Sequence, residues 1–332
     1  MLRFQDGSFK DPFIARHVSD GTIKMFAYLV LLNDPQPYPL LAVEEPENQL
    51  YPELLPELAE EFRDYARRGG QVFISSHSPD FLNALQLDEI YCLRKEQGFT
   101  RITKASDSEN LRALTEAGDL PGYLWKQGFV RGPELMQGRL VFLLEEPSMK
   151  SLLDALLPRL FPGWESGVHF LCVPHQGKSD LDLSIPRKLS AWRIPGDRFV
   201  IVRDNDNADC AHIKARLLKM CAQNGRPDTL VRLVCQELEG WYLGDLGALS
   251  AAYDEERIDT PALRKRYNVP DDWQKPSVEL ERLVPSFQKG SGARRMGRWL
   301  GDARSNRSRS YQVFLEGVMR LATEMGWAPV AE

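Results

Sequence analysis

Short apolar runs alternate with stretches of helical period along most of this chain, and no other feature limits the possible folds as strongly. The runs fall at 40–43, 71–75, 89–93, 139–144, 168–173, 199–202 and 230–234. Parallel strands need crossover helices between them, so the alternation predicts an α/β protein with a largely parallel sheet. The segment 52–68 shows the helical half of the pattern. Leu54, Leu58, Phe62 and Tyr65 fall on one face, and Gly69-Gly70 ends it. Further helices are expected at 22–33, 148–160, 180–192 and 209–223.

The chain has 332 residues, enough for about two domains, each able to bury its own core. The best cut lies near 137. It leaves a first domain at 1–104, a helical connector at 105–137, a second α/β domain at 138–245 and a helical, basic region at 246–332. Hydrophobic residues at 43% and charged residues at 27% exclude disorder as the overall state. The longest apolar run, 25–32, is far shorter than a membrane span, and the N-terminus shows no secretory h-region. The five cysteines include no C-x-x-C pair, which argues against a disulfide scaffold or zinc ribbon and for a cytoplasmic location. With 42 Lys and Arg against 47 Asp and Glu, any nucleic-acid contact must be local.

Three segments of the first domain carry one chemistry. Ser19-Asp20-Gly21-Thr22 opens a helix, where free backbone N–H groups suit an anion. The apolar strand 40–43 ends in Glu44-Glu45-Pro46-Glu47-Asn48. One acid there can hold Mg²⁺ and the next can polarise a water. The strand 71–75 ends in Ser76-His77-Ser78, with His77 placed 32 residues after Glu45. Singly, these are an N-cap, a helix start and a surface histidine. Their order makes them a constellation.

These residues resemble the signature, Walker B/D-loop and H-loop segments of ABC-type ATPase heads of the SMC-like and OLD-like branch, often placed among AAA-family ATPases. The resemblance implies Glu44 as the Mg²⁺-side acid, Glu45 as general base and His77 as γ-phosphate sensor, with Ser19, Asp20 and Gly21 as nucleotide contacts. ATP and Mg²⁺ are the implied cofactors. The pattern departs from the family at one place: no G-x-x-x-x-G-K-[ST] precedes residue 19. The only G-K-S is Gly177-Lys178-Ser179, with Cys172 standing where the first glycine belongs. Three arrangements stay open: a truncated product, a P-loop lobe on a separate polypeptide, or lost hydrolysis. In each, the isolated chain is expected not to hydrolyse ATP.

The second domain sets acids at two strand ends. Glu145 follows 139–144, and Asp204-Asn205-Asp206 follows 199–202. Strand ends of one parallel sheet lie side by side, so Glu145, Asp204 and Asp206 are expected to converge on Mg²⁺ or Mn²⁺. The competing reading is a polar loop capping the next helix. The arrangement resembles the Toprim domain, which implies Glu145 as acid/base and Asp204 and Asp206 as metal ligands. Glu237 or Glu239 is left to fill a third acidic position. The stretch from Leu140 to Asn306-Arg307-Ser308 is also similar to an uncharacterised bacterial family encoded beside such ATPases.

Lys178 lies in a strand-to-helix loop suited to phosphate. The segment 275–309 has nine basic residues against three acids, net +6, and Lys289, Arg294, Arg295 and Arg307 are its candidate DNA contacts. The resulting expectation is an incomplete P-loop-type ATPase lobe, followed by a Toprim-like α/β domain with a helical C-terminal extension. It would act as an oligomer in DNA processing, by the resemblance in phage defence or DNA repair. It would have a P-loop-bearing lobe and DNA as partners and no membrane association. The alternative is a non-catalytic regulatory or nucleic-acid-binding subunit docked on a P-loop-bearing ATPase.

Overall fold

The computed structural model describes residues 3–5, 13–96, 98–129 and 138–327. The chain divides into two compact units, Met1–Arg131 and Gly132–Glu332.

In the first unit, β1 (Arg3–Phe4) and β2 (Phe13–Ile14) form a short antiparallel pair ahead of α1 (Asp20–Leu32). A βαβ unit comes next: β3 (Leu40–Glu44), α2 (Leu55–Arg67) and β4 (Gln71–Ser75). The two strands pair in parallel, from Leu40 opposite Gln71 to Glu44 opposite Ser75. Beyond them lie α3 (Pro79–Asn83), β5 (Tyr91–Glu96), β6 (Phe99–Lys104), α4 (Glu109–Glu116) and α5 (Pro121–Lys126). The core gathers Leu32, Leu55, Leu58, Phe62, Tyr65 and Phe81, with Leu41, Val43, Val72 and Ile74 reaching it from one face of the sheet.

The other face of that sheet is bare. Leu40 and Phe73 are 58% and 57% exposed, although both strands are apolar almost throughout, as fully buried parallel strands are. Helix α1 shows the same mismatch. It is apolar on every side, yet Phe26 and Val30, one turn apart, face outward.

The run at 89–93 is not a further parallel strand. It enters β5, which pairs antiparallel with β6 as a hairpin. Strand β6 is hard to see in sequence because Phe99 and Ile102 stand three apart, breaking the period of two. Within 105–137, α4 and α5 belong to the first unit; Gly122 lies so close to the Pro79 carbonyl that a Cβ would overlap it.

The second unit holds a four-stranded parallel sheet in the order β10-β9-β7-β8, formed by β7 (Leu140–Leu144), β8 (Phe170–Pro174), β9 (Arg198–Asp204) and β10 (Leu230–Val234). The crossover helices are α6 (Pro147–Leu160), α7 (Lys178–Ala191) and α8 (Cys210–Gln223). All of β7 is buried, as expected for a central strand covered on both faces. Six helices complete the unit: α9 (Glu239–Leu243), α10 (Leu246–Tyr253), α11 (Pro261–Arg266), α12 (Pro276–Leu283), α13 (Lys289–Gly297) and α14 (Arg309–Glu324). Gly297 brings α13 against α6, where a Cβ would stand 2.6 Å from the Leu152 carbonyl oxygen. No helix among the described residues is long and apolar enough to cross a membrane.

Candidate functional sites

In the first unit the register of β3 and β4 sets the geometry. Glu44 ends β3 opposite Ser75, and the next backbone N–H, that of Glu45, donates to the Ser75 carbonyl at 2.8 Å. The chain then turns sharply. Glu45 has φ 43° and Gln49 φ 66°, left-handed conformations that cost energy for residues other than glycine. Asn48 Nδ2 donates to Glu45 Oε2 at 2.6 Å, and Lys24 Nζ donates to the Asn48 carbonyl at 2.8 Å. Ser76 Oγ donates to Glu47 Oε1 at 2.6 Å, tying the two strand ends together. The outcome is a fixed Glu45 whose Oε1 lies 4.0 Å from Nε2 of the exposed His77. That separation exceeds a hydrogen bond and leaves the pair facing solvent.

Ser19 caps α1 by accepting from the Thr22 N–H at 3.2 Å, and Asp20 is exposed in the first turn. Gly21 has a packing role: a Cβ there would overlap the Gln49 carbonyl oxygen, so glycine lets α1 lie against the turn that carries Glu45. Glu44 is exposed at the strand end. A Mg²⁺–nucleotide would find carboxylates and an imidazole at this edge, which suit its terminal phosphate, but no phosphate cradle among these segments.

In the second unit the chain reverses its direction of travel across the sheet. From β7 it moves to β8 on one side, then returns to β9 and β10 on the other. Open α/β sheets bind ligands outside the strand ends at such a switch point, here between β7 and β9. Glu145 and Asp204 stand there. The Asp204 backbone N–H donates to Glu145 Oε2 at 3.0 Å. Burial pushes the Glu145 carboxyl up, and that hydrogen bond opposes it in part. Asp204, 7% exposed, is pushed well above the ordinary range by burial and then by Glu145, Glu146 and Glu239.

Asp206 still bears on Glu145, whose carboxyl its charge helps push up. It sits beyond the strand at φ 48°, and its carboxylate pairs with Lys178 at 2.9 Å. Arg203, next to Asp204 on β9, holds Asp182 of α7 at 2.8 Å and also stands 4.0 Å from Glu145 Oε2. Two other acids stand beside Asp204: Glu146, which the sequence did not single out, and Glu239, one of the two candidates for the third acidic position. Glu146 accepts from Lys289 Nζ at 2.6 Å and from Ser148 Oγ at 2.5 Å. Glu239, 2% exposed at the start of α9, is pushed up to about 7 by burial. Glu237, the other candidate, instead accepts the Ser277 N–H at 2.8 Å. Tyr242, one turn after Glu239, is buried beside Glu239, Glu146 and Asp204. Its sequence signal was only the i, i+3 spacing on α9.

Among the described residues, no three His, Cys, Asp or Glu side chains are grouped so as to hold a metal ion. The donor chemistry suits Mg²⁺ or Mn²⁺. The arrangement does not, because Asp206 is turned to Lys178 and Glu146 to Lys289. Of the other basic candidates, Arg295 lies over the Tyr253 ring at 5.3 Å. Arg294 is exposed and has no ion pair among the described residues. Arg307 lines a cavity of about 240 Å³ with Arg264 and Tyr267, and donates to the Arg264 carbonyl.

A parallel β-strand pair ending in a carboxylate and a histidine, with a turn fixed between them, lies inside an AAA/ATPase-like region. The comparison with known families agrees. Residues 2–83 match the model described as "AAA domain, putative AbiEii toxin, Type IV TA system", a span that contains Ser19–Gly21, Glu44, Glu45 and His77. No curated protein matches the chain.

Proposed function

We propose that the first unit is the catalytic half of an ATPase site, completed by a P-loop-bearing lobe outside the described residues. The Glu45–His77 pair carries this reading: two chemically suited groups held 4.0 Å apart at the ends of neighbouring strands. Glu45 orients and deprotonates the attacking water, and His77 contacts the terminal phosphate. Glu44 would be the residue to hold a Mg²⁺, which would supply charge neutralisation for the transferred phosphoryl group. The bare sheet face at Leu40 and Phe73 is the seat for the completing lobe, whose elements pack over that face. The family's toxin–antitoxin description is compatible with a phage-defence role.

For the second unit we infer a Toprim-like, cation-dependent phosphodiester chemistry at the switch-point crevice. It is supported by Asp204 Oδ1, buried there without a partner. Among the described residues, the acids there do not form a metal's ligand set as folded.

The decisive experiment is ATP turnover. The pure 332-residue chain should show none, and a P-loop lobe supplied in trans or joined upstream should produce it. Glu45→Gln should then reduce turnover at least 100-fold with binding retained. Phe73→Asp should raise the concentration of lobe needed and spare the maximal rate. Glu45-dependent hydrolysis by the pure chain would overturn this assignment.

A further inference from the structure

Trp273 and Lys275 have no place in either function just described, yet they line an open groove of about 580 Å³ in the second unit. They connect a short 3₁₀ turn, Pro270–Asp272, to the start of α12. Two contacts tie this connection to the strand ends of the sheet. The Asn207 side-chain amide donates to the Gln274 carbonyl at 3.4 Å, and the Ser277 N–H donates to Glu237 at 2.8 Å. Asn207 is itself held, since its backbone N–H donates to Gln236 Oε1 at 2.9 Å. The groove therefore begins beside the loop that follows β9 and carries Asp206.

Its surface combines a ring with cations. The half-buried Trp273 indole packs against the Tyr267 ring, with centroids 5.2 Å apart, and the Arg266 guanidinium lies 5.3 Å from the indole. Glu279, 5% exposed, anchors the assembly from below. It accepts from Arg266 at 2.8 Å, from the Tyr267 hydroxyl at 2.9 Å and from Arg282. One buried acid thus fixes two guanidinium groups whose side chains remain at least half exposed. Lys275 is exposed and has no ion pair among the described residues. Arg266, Lys275 and Arg282 outnumber Asp272 and Glu279 by one, in a chain that is acidic overall.

A stacking ring flanked by exposed cations suits a strand with unpaired bases: a base lies on the ring and the adjoining phosphates meet the cations. A duplex covers its base faces by its own stacking and offers none to an indole. We propose that this groove binds single-stranded nucleic acid, with a base stacked on Trp273 and phosphates on Lys275 and Arg282. The proposal rests on the phosphodiester reading of the second unit and names its substrate class. A strand lying in the groove passes the Asp206 loop, which brings its backbone toward the ends of β7 and β9. The basic residues that the sequence singles out, Lys289, Arg294, Arg295 and Arg307, lie outside this groove.

The probe is a fluorescein-labelled oligo(dT) dodecamer, titrated with the full chain and read by anisotropy, with oligo(U) of equal length as a second arm. Trp273→Ala should weaken binding about tenfold or more, and Trp273→Phe should keep most of it. Lys275→Gln, at an exposed position, should reduce the slope of log affinity against log salt by about 0.7. Trp299→Ala, at a tryptophan 52% exposed outside the groove, should leave affinity unchanged. A measurement without variants uses one 5-iodouracil in the oligonucleotide: irradiation should cross-link it to Trp273, as read by mass spectrometry. Absence of wild-type binding, equal affinity in Trp273→Ala, or equal competition by duplex or by polyglutamate overturns the proposal. Trp273-dependent binding with no cleavage of any strand would defeat the phosphodiester reading and leave the groove assigned. Cleavage of single strands with an affinity indifferent to Trp273 would do the reverse.

Discussion

The backbone N–H of Asp204 donates to a side-chain oxygen of Glu145 at 3.0 Å, joining the ends of two adjacent strands through one acid. The contact gives one Glu145 oxygen a fixed task and leaves the Asp204 carboxyl to point into the crevice with Glu146 and Glu239. Like charges then gather in a buried place. Burial and repulsion together favour their protonated forms.

That arrangement predicts an inverted pH response. The Glu239 carboxyl is pushed up to about 7 from an ordinary 4.5, so between these values the native state holds a proton that the unfolded state has lost. Stability from this group is full below about pH 4.5 and falls as pH rises to 7. The loss is on the order of 3 kcal/mol, acting against the gain most carboxylates give over that range. Thermal melts of the wild type and Glu239→Gln from pH 5 to 8 test it. The variant should lose the downward slope, and parallel curves would show that Glu239 is not its source.

Gly21→Ala should destabilise the first unit by about 1–3 kcal/mol, because the new methyl group meets the backbone oxygen of Gln49 and not a movable side chain. Urea titration followed by hydrogen exchange across 40–83 measures it. Gly290→Ala, where nothing lies within 4 Å, serves as a control and should be neutral or slightly stabilising. Equal effects at the two positions would remove the packing explanation for Gly21.

Hydrogen exchange should also separate the units. The sheet of β3 and β4 has two strands and a bare face, whereas β7, β9 and β10 lie within a covered four-stranded sheet. Amides of 40–44 and 71–75 should exchange faster than those of 140–144 and 198–204 in a demonstrated monomer. Addition of a P-loop lobe should slow the first set alone. Comparable protection in the free chain would mean that the bare face needs no cover.

Much of the fold was legible in the residues. The apolar runs at 40–43, 139–144, 199–202 and 230–234 became β3, β7, β9 and β10 with shifts of two residues at most, because a buried parallel strand must be apolar throughout. The acids behind those runs were legible for the same reason: residues just past the end of a strand emerge at the sheet edge. So were Glu45 and His77 as neighbours, once their strands were paired in parallel.

Pairing of charges was not. Asp206 meets Lys178, 28 residues away, and Glu146 meets Lys289, 143 residues away. No local period encodes such partners; they depend on which helix packs over which strand end. Glu239 was one of two candidates until the packing of α9 turned it inward and gave Glu237 to the start of α12. The bare face of β3 and β4 shows the same limit. The sequence determined that these strands are apolar on both sides, since composition and period are properties of the segment. Only the tertiary structure decided that one side stays uncovered, since cover is a property of what else is folded beside it.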